Sequence, residues 1–155
     1  MGAAMSLLIN MPQIKLNGRV DPVPRISDEH VHQPQLVAPS GGVGTLLTAG
    51  DPAWTLGGFS GDIIAAGFVS DPFDLHWVDI EDPDTVATYE LVFYYGPTDI
   101  EACRSKFTRL TPQYRSWEQH LQSVIFPAGS RVRAKCMASV AGALVSVSIF
   151  YHTYP

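Results

Sequence analysis

The stretch Arg131-Val132-Arg133-Ala134-Lys135-Cys136-Met137-Ala138 puts a small apolar residue at every second position and a cation at three of the others. Successive side chains of an extended strand point to opposite faces, so Val132, Ala134, Cys136 and Ala138 share one side and Arg131, Arg133 and Lys135 the other. A helix, with about 3.6 residues per turn, would scatter the two sets around its surface. The same period returns in Val145, Val147, Ile149 and Tyr151 against Ser146, Ser148 and Phe150. It returns again in Tyr89, Leu91, Phe93 and Tyr95 against Glu90 and Tyr94.

Working outward from these runs, apolar stretches of strand length recur from Gly44 onward, separated by turn formers such as Asp51-Pro52, Gly57-Gly58, Asp82-Pro83-Asp84, Gly96-Pro97 and Pro127-Ala128-Gly129. Eight strands are expected: Gly44 to Ala49, Ala53 to Phe59, Asp62 to Ser70, Phe73 to Ile80, Val86 to Tyr95, Ile100 to Leu110, Ser130 to Ser139 and Ala143 to Tyr151. Thr111 to Phe126 admits two readings, a helix opened by Thr111-Pro112 or an extended connection. The expected fold class is all-β, an antiparallel eight-stranded β-sandwich over residues 43–155 preceded by an extended N-terminal arm, residues 1–42. Five prolines in the arm (Pro12, Pro22, Pro24, Pro34 and Pro39) break any lasting helical or strand period. Its apolar residues Leu7, Leu8, Ile9, Met11, Ile14 and Leu16 have no use in a solvated tail and call for a surface to lie on.

The composition fits this reading. A chain of 155 residues with 16% charged residues, 13 Gly and 12 Pro is one domain, rich in turns and long enough for a full core. Cys103 and Cys136 match no metal or redox spacing and read as small buried apolar residues. The first residues lack the basic region of a signal peptide and no run is long enough to cross a membrane, so a soluble, cytosolically made protein is expected. The net charge of −5 argues against nucleic-acid binding. Its distribution is uneven: Ile26 to Cys103 holds thirteen carboxylates and no Lys or Arg, whereas Arg104 to Lys135 holds seven of the ten basic residues and a single acid, Glu118. Either acidic and basic strands lie side by side in one subunit, or the acidic face of one copy meets the basic face of the next.

No catalytic signature survives inspection. Gly57-Gly58-Phe59-Ser60-Gly61-Asp62 approaches a nucleophile elbow, but Asp62 stands where the second glycine belongs. Gly41-Gly42-Val43-Gly44 lacks the lysine of a phosphate loop and reads as a hinge. Asp28-Glu29-His30-Val31-His32 offers two imidazoles without the further ligands of a zinc site. Asp71, Asp74, Asp79, Glu81, Asp82 and Asp84 form an acidic run without the spacing of a calcium loop. Trp54, Trp77 and Trp117 would make a sugar-stacking platform only if they shared a face. No catalytic, cofactor-binding or metal residue is therefore assigned, and a hydrolase on a sandwich scaffold ranks last. Outward hydrophobes such as Phe150, Tyr94 and Val92 point to burial between subunits, and a second layer in the same subunit would explain them too.

The order of four segments resembles a group of small virion structural proteins of tailed bacteriophages. They are Tyr89-Glu90-Leu91-Val92-Phe93-Tyr94-Tyr95-Gly96; Ile100-Glu101 running through Arg104 to Phe107-Thr108-Arg109; Phe126-Pro127-Ala128-Gly129-Ser130-Arg131-Val132-Arg133-Ala134-Lys135; and Val145-Ser146-Val147-Ser148-Ile149 with Tyr151-His152-Thr153-Tyr154. The resemblance implies a jelly-roll or similar sandwich, commonly trimeric, in a decoration, cement, spike or fibre-associated protein. The expected function is that of a non-enzymatic capsid decoration or cement protein located in the virion. It would stabilise the phage head by self-association and by contacts of the arm with the major capsid protein or other virion proteins. The alternative is a tail fibre or spike-associated module that binds host glycans or acts as an adaptor. The expected interface residues are Leu7, Leu8, Ile9, Met11, Ile14 and Leu16 in the arm and Arg131, Arg133, Lys135 and Phe150 in the body. No cofactor, nucleic acid or membrane is expected as a partner.

Overall fold

The computed structural model describes residues 44–111 and 117–154, together with the backbone of 35–37. The strands are β1 Gln35–Val37, β2 Thr45–Thr48, β3 Phe73–Glu81, β4 Thr88–Tyr95, β5 Ile100–Thr108, β6 Trp117–His120, β7 Val132–Ala138 and β8 Leu144–Thr153. No helix occurs among the described residues, and the fold is all-β.

Two antiparallel sheets enclose one core. In the β8 sheet, β8 is flanked on one side by β3 and then β6, and on the other by β2 and β1, which pair with successive parts of the same edge. In the β4 sheet the order is β5, β4, β7. The inward positions are those the two-residue period selects: Val132, Ala134, Cys136 and Ala138 of β7, Tyr89, Leu91 and Phe93 of β4, and Val145, Val147, Ile149 and Tyr151 of β8 are all buried. Burying each large apolar side chain contributes about 1.5–3 kcal/mol. Phe126 ties the sheets together, its ring edge-on to Phe73 of β3 at 5.2 Å and stacked on Tyr95 of β4 at 4.4 Å. Both cysteines are free thiols; burial pushes Cys136 up to about 12, so it behaves as an inert apolar residue.

Strands form where Gly44 to Ala49, Phe73 to Ile80, Val86 to Tyr95, Ile100 to Leu110, Ser130 to Ser139 and Ala143 to Tyr151 are expected, with small shifts at their ends. The strands expected at Ala53 to Phe59 and Asp62 to Ser70 do not form. Instead, the N–H groups of Trp54, Gly57, Ser60 and Ile63 donate to the carbonyls of Ala138, Cys136, Ala134 and Val132. The segment advances three residues for every two of β7, so it follows the strand's edge without a strand's regular ladder. The return bonds come from Ala134 N–H to Ser60 Oγ at 3.1 Å and from Val132 N–H to Ile64 O at 2.9 Å. An edge strand with bare donors and acceptors invites pairing with another chain, and this cover removes that hazard from β7.

Two further differences concern short elements. Gln35–Val37, inside the region read as an arm without persistent strand period, pairs with Tyr151, Phe150 and Ile149 of β8. Of the two readings of Thr111 to Phe126, the extended one applies to Trp117–His120, which pairs with β3. The rest of the arm lies outside the described residues, including Leu7, Leu8, Ile9, Met11, Ile14, Leu16 and the histidine pair His30 and His32.

The edge cover depends on a missing side chain. A Cβ at Gly57 would overlap the carbonyl oxygen of Thr48, whereas one at Gly58 would meet nothing. Gly57→Ala is therefore expected to lose about 2 kcal/mol or more in chemical denaturation and to aggregate faster, while Gly58→Ala stays within about 0.5 kcal/mol of the parent.

Candidate functional site

The outer face of the β4 sheet is basic and aromatic. Pairing aligns Glu90 with Lys106 and Met137, Val92 with Arg104 and Lys135, and Tyr94 with Glu101 and Arg133. Arg104 donates to Glu101 from Nε at 2.7 Å and to Glu90 from Nη1 at 2.8 Å. Asp99, in the turn between β4 and β5, has φ 53° and is gripped by both Arg131 and Arg133. The hydrogen bond from Arg133 holds the Asp99 carboxyl below its ordinary range. Arg131 also lies 4.0 Å from Asp62. The two lysines make no ion pair among the described residues: Lys135 Nζ sits 4.1 Å from the ring centre of Phe59, and Lys106 Nζ 5.1 Å from that of Trp54. Arg133 shares the Phe59 ring at 4.1 Å, and Tyr94 meets Phe59 edge-on at 5.1 Å. Val92, expected as an exposed hydrophobe, is fully buried on this side, between its register neighbours Arg104 and Lys135.

The outer face of the β8 sheet is acidic at one end and histidine-rich at the other. Asp79 pairs with Glu118 of β6 and Ser148 of β8, and Glu81, two residues along β3, accepts a hydrogen bond from Ser148 Oγ at 2.9 Å. Asp79 Oδ1 is buried and accepts no hydrogen bond among the described residues. Its burial, followed by the Glu81 and Glu118 charges, pushes its carboxyl above the ordinary value. Toward the other end, Asp74 accepts from Tyr154 at 2.9 Å and lies 3.7 Å from His152 Nδ1. The rings of His76 and His152 are 4.0 Å apart and those of His76 and His120 4.8 Å apart, with Trp77 edge-on to His76 at 3.7 Å. Trp77 and Phe150 meet edge-on at 6.5 Å beside them.

These faces separate the residues singled out from sequence. Arg131, Arg133 and Lys135 share the outer side of the β4 sheet, and Phe150 lies on the opposite side of the molecule. Trp54 and Trp77 are likewise on different sides, so they do not form one stacking platform, and a lysine ammonium already occupies the Trp54 ring. The acidic run splits: Asp74, Asp79 and Glu81 stay on the outer side of β3, whereas Asp84 accepts the Leu144 N–H at 2.8 Å and Asp71 accepts from Ser70 at 3.2 Å, both as turn fixtures. Ser60 donates to Gly61 O and receives the Ala134 N–H, a structural role. Among the described residues, no group of His, Cys, Asp and Glu is arranged to hold a metal ion. The histidine cluster escapes sequence reading because positions 76, 120 and 152 belong to three different strands.

An apolar cleft of about 510 Å³ opens at one end of the sheets, lined by Tyr95, Pro97, Ile100 and Pro127 among others. Its charged side chain, Arg131, is engaged with Asp99 and the Gly96 and Pro97 carbonyls, and Ser130 Oγ donates to Pro127 O at 2.6 Å. Neither is placed as a nucleophile or base. Comparison of the chain with protein-family models, curated proteins and solved structures finds no match.

The Asp79 environment sets a sign for pH dependence. A raised carboxyl holds its proton more tightly in the folded than the unfolded chain, so stability is lost as pH rises through the raised value. Asp79→Asn is expected to stabilise the chain at pH 7 by about 0.2–1 kcal/mol, the scale of a like-charged cross-strand pair. The gain disappears below about pH 3.5, where the parent carboxyl is neutral too. Thermal melts of both proteins at the two pH values measure it.

Proposed function

We propose that this chain is a non-enzymatic structural protein that assembles with copies of itself, the outer face of the β8 sheet of one copy seated on the outer face of the β4 sheet of the next. The observation that carries this reading is where uncompensated charge sits. The arginines of the β4 sheet are matched by carboxylates of that same sheet and its turns, leaving Lys106 and Lys135 over aromatic rings. The carboxylates of β3 and β6 crowd one another on the opposite side. Within the subunit, Asp62, Glu90, Asp99 and Glu101 of the acidic stretch neutralise the arginines of the basic one, whereas Asp79, Glu81 and Glu118 form no ion pair among the described residues, and complementary faces on opposite sides favour a head-to-tail contact. Half-buried Trp77 and Phe150 on one face, and Phe59 and Tyr94 on the other, supply apolar area beneath the charges.

The finer fold reading is a jelly roll. With residues 54–64 counted as a degenerate strand, the segments from β2 to β8 number eight, and their order supports it: first, eighth, third and sixth in one sheet, second, seventh, fourth and fifth in the other. Two nested Greek keys generate that order, which recurs in capsid proteins. It agrees with the resemblance to tailed-phage virion proteins, and the biological setting we infer is a decoration or cement role on a phage head. There residues 1–34 would act as a strap on virion partners. Faces on opposite sides of a two-layer fold generate a stack, so a closed trimer rests on the resemblance alone.

Sedimentation velocity at about 50 mM and 500 mM salt tests the assembly, since exposed ion pairs are screened at the higher value. The parent chain is expected to associate at low salt. Lys106→Glu with Lys135→Glu, or Asp79→Lys with Glu118→Lys, each weakens association about tenfold, equivalent to about 1.4 kcal/mol. Mixing the two double variants restores it. A chain that stays monomeric at millimolar concentration in low salt removes the reading.

A further inference from the structure

We infer that the histidine cluster on the outer face of the β8 sheet makes that face a proton-controlled contact surface, which binds the β4 face of another copy at neutral pH and releases it on mild acidification. The inference rests on the head-to-tail reading above and adds its regulation.

Three of the chain's five histidines converge on this face. His76 lies within 4.0 Å of His152 and 4.8 Å of His120, ring centre to ring centre, so the three imidazoles form one continuous group drawn from β3, β6 and β8. Trp77 closes one side of the group, 3.7 Å from His76, 6.0 Å from His120 and 6.2 Å from His152. The ionisable groups facing it from the described elements are Asp74, Asp79 and Glu81 of β3, Glu118 of β6 and Tyr154 beyond β8. Ser148 and Phe150 of β8 are the uncharged neighbours. No Lys or Arg of the described residues lies on β3, β6 or β8.

The chemistry follows from counting charge. With neutral imidazoles the face carries the four carboxylates Asp74, Asp79, Glu81 and Glu118, and attracts Lys106 and Lys135 of a second copy. Imidazole is the side chain whose ordinary titration falls between about pH 5 and 8. Protonation would add as many as three positive charges beside the carboxylates, cancelling most of the attraction and placing cations against the partner's arginines and lysines. A protonated His152 would hold its Nδ1 3.7 Å from the Asp74 carboxylate. Asp79, which holds its proton above the ordinary value, discharges in the same direction as the pH falls.

The test is sedimentation velocity of the full chain at about 50 mM salt, at pH 7.5 and 5.5. Association is expected to be about tenfold weaker at pH 5.5. The His76→Gln, His120→Gln, His152→Gln variant should associate equally at both values apart from the contribution of Asp79. Because His152 is buried, His120→Gln alone serves as the second variant: it lies on the exposed, short β6 and should reduce the pH effect by about a third. Histidine side-chain NMR of the parent chain reads the charge of the cluster directly, and imidazoles that keep one protonation state at both pH values overturn the inference. Association that is firm at pH 7.5 and unchanged at 5.5, or a pH effect of full size in both variants, overturns the inference while leaving the head-to-tail contact standing. Absence of association at pH 7.5 overturns the head-to-tail contact itself.

Discussion

A single extra residue in β3 decides which way the β8 sheet presents its side chains. Leu75 pairs with Tyr151 and Trp77 with Phe150, so β3 uses one more residue than β8 over the same span, the signature of a β-bulge at His76. Phe73 and Leu75 before it, and Val78 and Ile80 after it, all face the core. In an unbroken strand, odd and even positions cannot share a side, and a slip of one residue exchanges the two faces. Without the bulge either Phe73 and Leu75 would be turned to water and Asp74 driven into the core, or Val78 and Ile80 would be turned out and Asp79 driven in. The same extra residue brings His76 and Trp77 together on the outer side, so the core and the histidine cluster have one cause.

The sheets end in different ways, and the difference shapes what the molecule can contact. On the β7 side the chain itself runs along the edge, taking up backbone groups at a three-for-two pitch and passing close to Thr48 at Gly57, where a Cβ has no room. On the far side β5 carries Glu101, Arg104 and Lys106, and a second bulge where Tyr94 pairs with Glu101 and Phe93 with Cys103. Charge and bulging both discourage a further strand from adding there. With both edges of the β4 sheet blunted, its broad outer face is the surface that this sheet leaves open.

Those faces carry an imbalance that an isolated subunit does not relieve. The arginines of the β4 sheet find carboxylates nearby, but Asp79 and Glu118 are placed directly opposite one another, an arrangement that disfavours the isolated chain. Cations of a neighbour would reverse the sign of that contribution, which is why an unfavourable pair argues for a partner. Ser60 and Ser130 are tied to backbone carbonyls, and Cys136 is buried in a thiol form.

The local sequence determined the class of fold and the inward-facing set of β4, β7 and β8, because apolar residues at alternate positions of each strand fill the core; β7 alternates strictly between buried and half-buried, and in β4 and β8 the outward Val92, Ser148 and His152 are buried as well. It also determined the segregation of acid from base along the chain. Tertiary structure alone decided what those patterns meant in space. The apolar residues of 53–70 read as two strands, but the segment wraps an edge at a pitch that alternation cannot encode, passing Thr48 where Gly57 leaves room for its carbonyl. The break in β3 becomes a bulge only because β8 fixes the register on both sides of it. Whether acidic and basic strands share a sheet, and whether histidines at 76, 120 and 152 meet, depends on strand order, and that is set by long-range pairing energies to which no short window of sequence has access.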